Sequence, residues 1–194
     1  MTNTRTGHRS TRRGFTLIEM LMVVVLISIV VTWAVPKFSI NRYRADAAGN
    51  LVRTLLQSAQ RNGITRQSNL IVSFDRPGRR LRIVQDDNNN GLIDAGERIQ
   101  YRNLEEGAKF ATPSWPGPNG TTPASSVVGN NLVNIGGLPS ISFLRDGSGS
   151  TDLEVYVTTR DNVKVEYRAV TLTGATGRTE LWKWNGATWM RMSR

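Results

Sequence analysis

From Phe15 to Val35 the chain reads FTLIEMLMVVVLISIVVTWAV, 21 residues in which Glu19 is the only charge. At ~1.5 Å rise per residue an α-helix of this run is roughly 31 Å long, about the thickness of a bilayer core. The run therefore predicts a membrane helix rather than a core helix. A secretory signal peptide has a shorter apolar region and a small-residue cleavage site, and Trp33-Ala34-Val35-Pro36-Lys37 supplies no such site. An ionised carboxylate at bilayer depth costs at least ~2.5 to 3.5 kcal/mol on insertion scales, so Glu19 signals a partner or a function.

Charge around the run sets a weak orientation. Arg5, Arg9, Arg12 and Arg13 precede it with no acid among them, which favours a cytoplasmic N-terminus, although Lys37, Arg42 and Arg44 follow closely. Removing those four arginines from the 25 basic residues leaves 21 against 15 acidic ones. That remainder is spread through the chain, giving a mildly basic surface rather than a polyanion-binding tail.

The 194 residues suffice for one membrane segment and one modest domain. There is no cysteine, and the single histidine is His8. Disulfides and thiol-ligated metals are excluded, and without His8 so are Ser-His-Asp and Cys-His nucleophilic sites and the usual zinc sites. Enzyme chemistry is the poor alternative.

After Pro36, Ala45, Ala48, Val52, Leu55 and Ala59 recur at helical spacing, with Leu51 and Leu56 widening the face. This predicts an amphipathic helix continuing the membrane helix over 36–66. Downstream, eight stretches are β-like: 69–74, 79–84, 98–102, 140–144, 152–158, 163–170, 178–184 and 188–192. Arg76-Pro77-Gly78, Asp146-Gly147-Ser148, Arg160-Asp161-Asn162 and Asn185-Gly186 supply turns between several of them. The expected class is α+β: a long N-terminal membrane-spanning helix continuing into an amphipathic helix packed on antiparallel β-sheets. The Pro, Gly, Ser and Thr-rich stretch 111–131 is expected to be an exposed loop.

The leader and the run together resemble a known signal. A short basic leader ending in Gly14, followed by Phe15-Thr16-Leu17-Ile18-Glu19 and the apolar run, looks like the class III signal of type IV prepilins and type II secretion pseudopilins. Pro36 fits the resemblance too. Within this pilin-like superfamily the mature chain is most similar to the H-type pseudopilins of type II secretion and their minor-pilin relatives, the GspH/FimT group. Ile64 and Arg66, the strand Leu70 to Phe74, Ile141 to Leu144 with Asp146-Gly147-Ser148, and Thr176-Gly177-Arg178 carry that likeness.

The resemblance implies a plan of four parts: residues 1–14 a cytoplasmic leader that is cleaved, 15–35 a transmembrane helix and filament core, 36–66 its amphipathic continuation, and 67–194 a periplasmic β-rich domain. It implies cleavage between Gly14 and Phe15 by a prepilin peptidase that also N-methylates Phe15. The implied partners are other pilins or pseudopilins, an inner-membrane assembly platform and the lipid bilayer, and no cofactor is required. A minor pseudopilin serving export of folded proteins across the outer membrane is the expected role, with a minor pilin of a type IV pilus as the alternative. Glu19 then gains a partner, because the new Phe15 amine, with a reference pKa of ~7.7, is largely cationic. Glu19 of one subunit is expected to pair with that amine of its neighbour and so fix the register.

Two further stretches carry candidate sites. DDNNNGLIDAGE, 86–97, fits the calcium pattern D-x-[DN]-x-[DN]-G-x5-E, with Asp86, Asn88, Asn90, the Leu92 carbonyl, Asp94 and Glu97 as candidate ligands. Its flanks alternate like strands, so the favoured reading is a hairpin connection whose residues serve turn chemistry. The C-terminal stretch places Trp182, Trp184 and Trp189 among Arg178, Lys183, Arg191 and Arg194, which would suit a nucleic-acid strand. Glu180 beside Arg178 would repel phosphate, so DNA is not favoured over a terminal β-hairpin turning at Asn185-Gly186.

Overall fold

The computed structural model describes residues 14–34 and 40–192, with the backbone alone for 31–34. The basic leader through Arg13, Pro36 and the C-terminal Arg194 lie outside the described residues. The chain divides into two units, 1–39 and 40–194.

The first unit holds one helix, α1 (Leu17–Ala34), built from 18 residues of the apolar run. Its apolar side chains from Leu17 to Val30 are exposed. Among the described residues no helix is long and apolar enough to cross a membrane. The junction between the run and the following helix, 35–39, is outside the described residues.

In the second unit α2 (Ile40–Arg66) buries Ala45, Ala48, Gly49, Val52, Leu56, Ala59 and Gly63, a stripe at spacings of three and four. Small residues let this helix approach the strands closely. A Cβ on Gly49 would stand 2.8 Å from Leu181 Cδ1 and 3.1 Å from Arg168 Cβ.

Eleven strands follow among the described residues: β1 (Asn69–Asp75), β2 (Arg80–Asp86), β3 (Arg98–Asn103), β4 (Lys109–Phe110), β5 (Val127–Val128), β6 (Val133–Ile135), β7 (Leu138–Phe143), β8 (Leu153–Thr158), β9 (Arg168–Thr173), β10 (Arg178–Trp184) and β11 (Trp189–Arg191). They form two antiparallel sheets. The first runs β3-β2-β1-β7-β6, and the second runs β11-β10-β9-β8-β4, with β5 also paired to β8. Val52, Leu56 and Ala59 share one apolar core with Leu70, Val72 and Phe74 of the first sheet and Val155, Val170 and Leu181 of the second. One helix laid against two antiparallel sheets is the expected α+β class.

Two expectations give way. The stretch 163–170 is not one strand, because Lys164–Glu166 form a 3₁₀ turn and β9 begins only at Arg168. The turn carries Glu166 inward, where it is 1 % exposed and takes hydrogen bonds from Arg160 and Thr159. The stretch 111–131 is not simply an exposed loop. Pro113, Trp115, Gly117, Pro123, Ser126 and Val127 are buried against the second sheet. The reason lies in β8, whose Leu153, Val155 and Val157 join the helix-side core, while Glu154, Tyr156 and Thr158 alternate onto the opposite face. All six residues are buried because the loop covers that second face. Gly117 approaches so closely that any Cβ there would collide with the Tyr156 hydroxyl.

Gln60 fastens α2 to a loop of each sheet. Its amide Nε2 donates to Gly147 O at 2.9 Å, after β7, and to Thr176 O at 3.0 Å, before β10. Gly177 takes φ 64° against that amide, and a Cβ would stand 2.0 Å from Nε2. The Asp146-Gly147-Ser148 and Thr176-Gly177-Arg178 stretches thus meet at one side chain.

Candidate functional site

Gly14, Phe15 and Glu19 gather at the N-terminal end of α1. Thr16 precedes the first helical residue and occupies the N-cap position, which makes Leu17 the first residue of the helix and Glu19 the third. The Glu19 N–H donates to Thr16 Oγ1 at 3.3 Å, and the Thr16 N–H donates to Glu19 Oε2 at 3.4 Å. This reciprocal pair is a capping box, satisfying two helix-end donors at once. Glu19 also lies in the first turn, where the helix dipole favours an anion. Phe15, one residue outside the cap, is 74 % exposed. Among the described residues, this end of the helix presents an exposed aromatic residue directly after Gly14 and a carboxylate engaged by the Thr16 cap. Thr16 is the capping residue that a reading of charge passes over, and Thr-x-x-Glu before an apolar run is the signal that reveals it.

The 86–97 loop joins β2 to β3, with Gln85 opposite Arg98 in the ladder. Asp86 is fully buried and its carboxylate is engaged by the loop's own backbone, taking Asn90 N–H at 3.0 Å and Gly91 N–H at 2.8 Å. Gly91 has φ 76°, a conformation that favours glycine. Asp94 Oδ2 accepts from the Asn88 and Asn90 side-chain amides at 2.8 and 2.6 Å, and these bonds hold its carboxyl below the usual carboxylate range. Glu97 Oε2 accepts the Asp94 N–H at 3.1 Å, while its Oε1 is buried without a hydrogen-bond partner. Leu92 is exposed, and its N–H donates to Asn90 Oδ1. Among the described residues no three acidic or histidine side chains stand together as a metal-holding group. The carboxylates of Asp86 and Asp94 serve the turn itself.

Of the four basic residues of the C-terminal stretch, Arg194 lies outside the described residues, Arg178 and Arg191 meet at one acidic side chain, and Lys183 stands apart from them. Arg178 and Arg191 both reach Glu180 Oε1, at 2.7 and 3.0 Å. Lys183 shares the alternation of Leu181, which faces the helix-side core, and so lies on the opposite face of β10. Trp184 and Trp189 serve the loop contact. Trp184 packs on Trp115 and Trp189 at 5.6 and 5.5 Å between ring centroids, and Trp189 Nε1 donates to Pro116 O at 2.8 Å.

Residues 9–35 match the family described as the prokaryotic N-terminal methylation motif. No curated protein matches the sequence significantly. Among solved structures, the chain is similar to the minor pseudopilin EpsH from the type 2 secretion system of Vibrio cholerae, with 12 % identity over 77 % of this chain and 97 % of that one and a TM-score of 0.45. It is also similar to the type IV minor pilin FimU of Pseudomonas aeruginosa, with 14 % identity over 75 % of this chain and 96 % of that one and a TM-score of 0.44.

Proposed function

The chain has a type IV pilin-like N-terminus, and from that premise we propose that it is a minor pseudopilin, a noncatalytic structural subunit of a type II secretion pseudopilus. The observation that carries the reading is the methylation motif over 9–35, which sets the Gly14–Phe15 bond immediately before the capped end of α1. In this reading the apolar run of 15–35 crosses the inner membrane, with its N-terminus cytoplasmic and the α+β domain periplasmic. Cutting after Gly14 creates the Phe15 amine, which the same peptidase methylates and which stays largely cationic near neutral pH. Glu19 then exchanges its local cap for the amine of a neighbouring subunit. In apolar surroundings that pairing is far stronger than in water, and it offsets the penalty of placing a carboxylate in the bilayer.

The test is Glu19→Ala in cells that express the rest of the machinery. The leader is expected to be cleaved normally while the protein fails to enter filaments. Normal incorporation of Glu19→Ala would sink the reading. Deleting the protein separates the two filament machines: loss of exported protein with pili intact supports the pseudopilin, and loss of pili with secretion intact supports a minor pilin.

A further inference from the structure

The outer face of the second sheet carries a cleft that the proposed role leaves unused. It encloses about 330 Å3 between the sheet and the covering loop, with Asp152, Glu154, Thr171 and Trp182 on the sheet side and Asn119 and Asn130 on the loop side. Strand alternation puts them there. Leu153, Leu172 and Leu181 belong to the helix-side core, so their neighbours along each strand face the opposite way. Trp182 Nε1 donates to Thr171 Oγ1 at 3.0 Å, which fixes the indole in the wall.

The charge of the cleft is unusual for this chain. Among the described residues no lysine or arginine lines it. Glu154 is 9 % exposed and accepts a hydrogen bond from the Tyr156 hydroxyl. Asp46, Asp75 and Glu166 each have an arginine, whereas among the described residues no cation pairs with Glu154. Burial accordingly pushes its carboxyl above the ordinary carboxylate range. A buried carboxylate with hydrogen-bond donors but no counter-charge is a half-made ion pair.

We propose that this cleft takes the guanidinium or ammonium group of an arginine or lysine side chain presented by a neighbouring protein chain, a reading that rests on the chain being a filament subunit. Asp152 and Glu154 both line the cleft, where Asp152 Oδ1 accepts the Gly174 N–H at 2.7 Å, so a cation entering it meets two carboxylates and, among the described residues, no like charge. The Trp182 ring adds a face that attracts cations. An anion is repelled by the two carboxylates. A neutral polyol would use the same hydrogen-bonding groups but leave the Glu154 charge without a counter-ion.

The test uses the full-length protein in detergent micelles, with its tryptophan indoles labelled for NMR and the Trp182 signal assigned through Trp182→Phe. It is titrated with N-acetyl-arginine amide, with the neutral isostere N-acetyl-citrulline amide, and with glucose. The arginine compound is expected to shift the Trp182 indole signal saturably at millimolar concentration, and the other two to leave it in place. Glu154→Gln, which keeps the shape and removes the charge, should weaken that binding at least tenfold, and Asp152→Asn, at an exposed position, should weaken it severalfold. An equal response to citrulline, a response to glucose alone, no response to any probe, or unchanged binding in both variants overturns the proposal. Because the titration needs no filament, its failure leaves the Glu19→Ala result standing, and failure of that result leaves the titration standing.

Discussion

Arg168 Nε donates to Asp46 Oδ1 at 2.6 Å, joining β9 to the first half of α2 across 122 residues of chain. Arg168 is 3 % exposed and its Nη1 also donates to the Val165 and Tyr167 carbonyls, so its guanidinium is held between helix and sheet. Removing Asp46 leaves a buried cation without its counter-charge. Breaking a buried pair costs about 3 to 5 kcal/mol, and the one-third exposure of Asp46 reduces that to roughly 1 to 3. Asp46→Ala is therefore expected to lower the unfolding midpoint in detergent micelles, measured by urea titration followed at the tryptophans. An unchanged midpoint would show that water replaces the carboxylate at no loss.

In the proposed function Glu19 would have two roles, a helix cap and a filament contact, that substitution separates. Glutamine can occupy the third helical position of a capping box but carries no charge. Glu19→Gln is expected to keep leader cleavage and still fail in filament assembly, because the cationic Phe15 amine has lost its partner. Thr16→Ala removes the cap oxygen and keeps the carboxylate. It should weaken the first turn by about 1 kcal/mol and leave assembly in place. Filaments that accept Glu19→Gln and reject Thr16→Ala would assign the motif to helix capping instead.

Glu154 and Glu166 should bend the pH dependence of stability in opposite directions. Burial raises Glu154, so the folded state holds that proton more tightly than the unfolded chain. Its contribution is complete below the ordinary glutamate range and is lost as pH rises through the raised value. Glu154→Gln is expected to stabilise the protein at pH 7 and to change little at pH 4. Glu166 is lowered, chiefly by its hydrogen bond from Arg160, so its contribution is present above the ordinary range and is lost as pH falls through the lowered value. Glu166→Gln should flatten the acid limb. Thermal melts across pH 3 to 8 read both.

Asp86 tests the nature of the acidic loop. Its carboxylate satisfies two backbone N–H groups from a buried position, so Asp86→Ala should cost about 1 to 3 kcal/mol through the donors it strands. Millimolar calcium is expected to leave the melting temperature of the wild-type protein unchanged. A calcium-dependent rise, or a saturable binding isotherm lost in Asp86→Ala, would establish the 86–97 loop as a metal site.

What a sequence reveals here follows from how local the physics is. The amphipathic stripe of α2 and the strand-like composition of β1 or β10 are properties of neighbouring residues, and they are legible. So is the Thr16-x-x-Glu19 cap, although attention to the lone charge obscures it. The 3₁₀ turn at Lys164–Glu166 escapes because Val163 to Val170 has strand-like composition, and only the burial of Glu166 beside Arg160 breaks it. The anchoring of Trp115 escapes for a stronger reason, since its packing partners Tyr167 and Trp184 lie more than 50 residues away. Pro and Gly in 111–131 mark irregular backbone correctly but say nothing of what that backbone covers. The cleft beside Glu154 depends on that covering and could not be read in advance.

The Gln60 amide has a mechanical consequence. Under a force applied along α2, a domain of two sheets could shear if only one sheet gripped the helix. With one amide fastened to a loop of each sheet, and Arg168 of the second sheet gripping Asp46 further toward the helix N-terminus, the load reaches both sheets. Displacement of the helix then carries the whole unit as one body instead of opening the seam between its sheets.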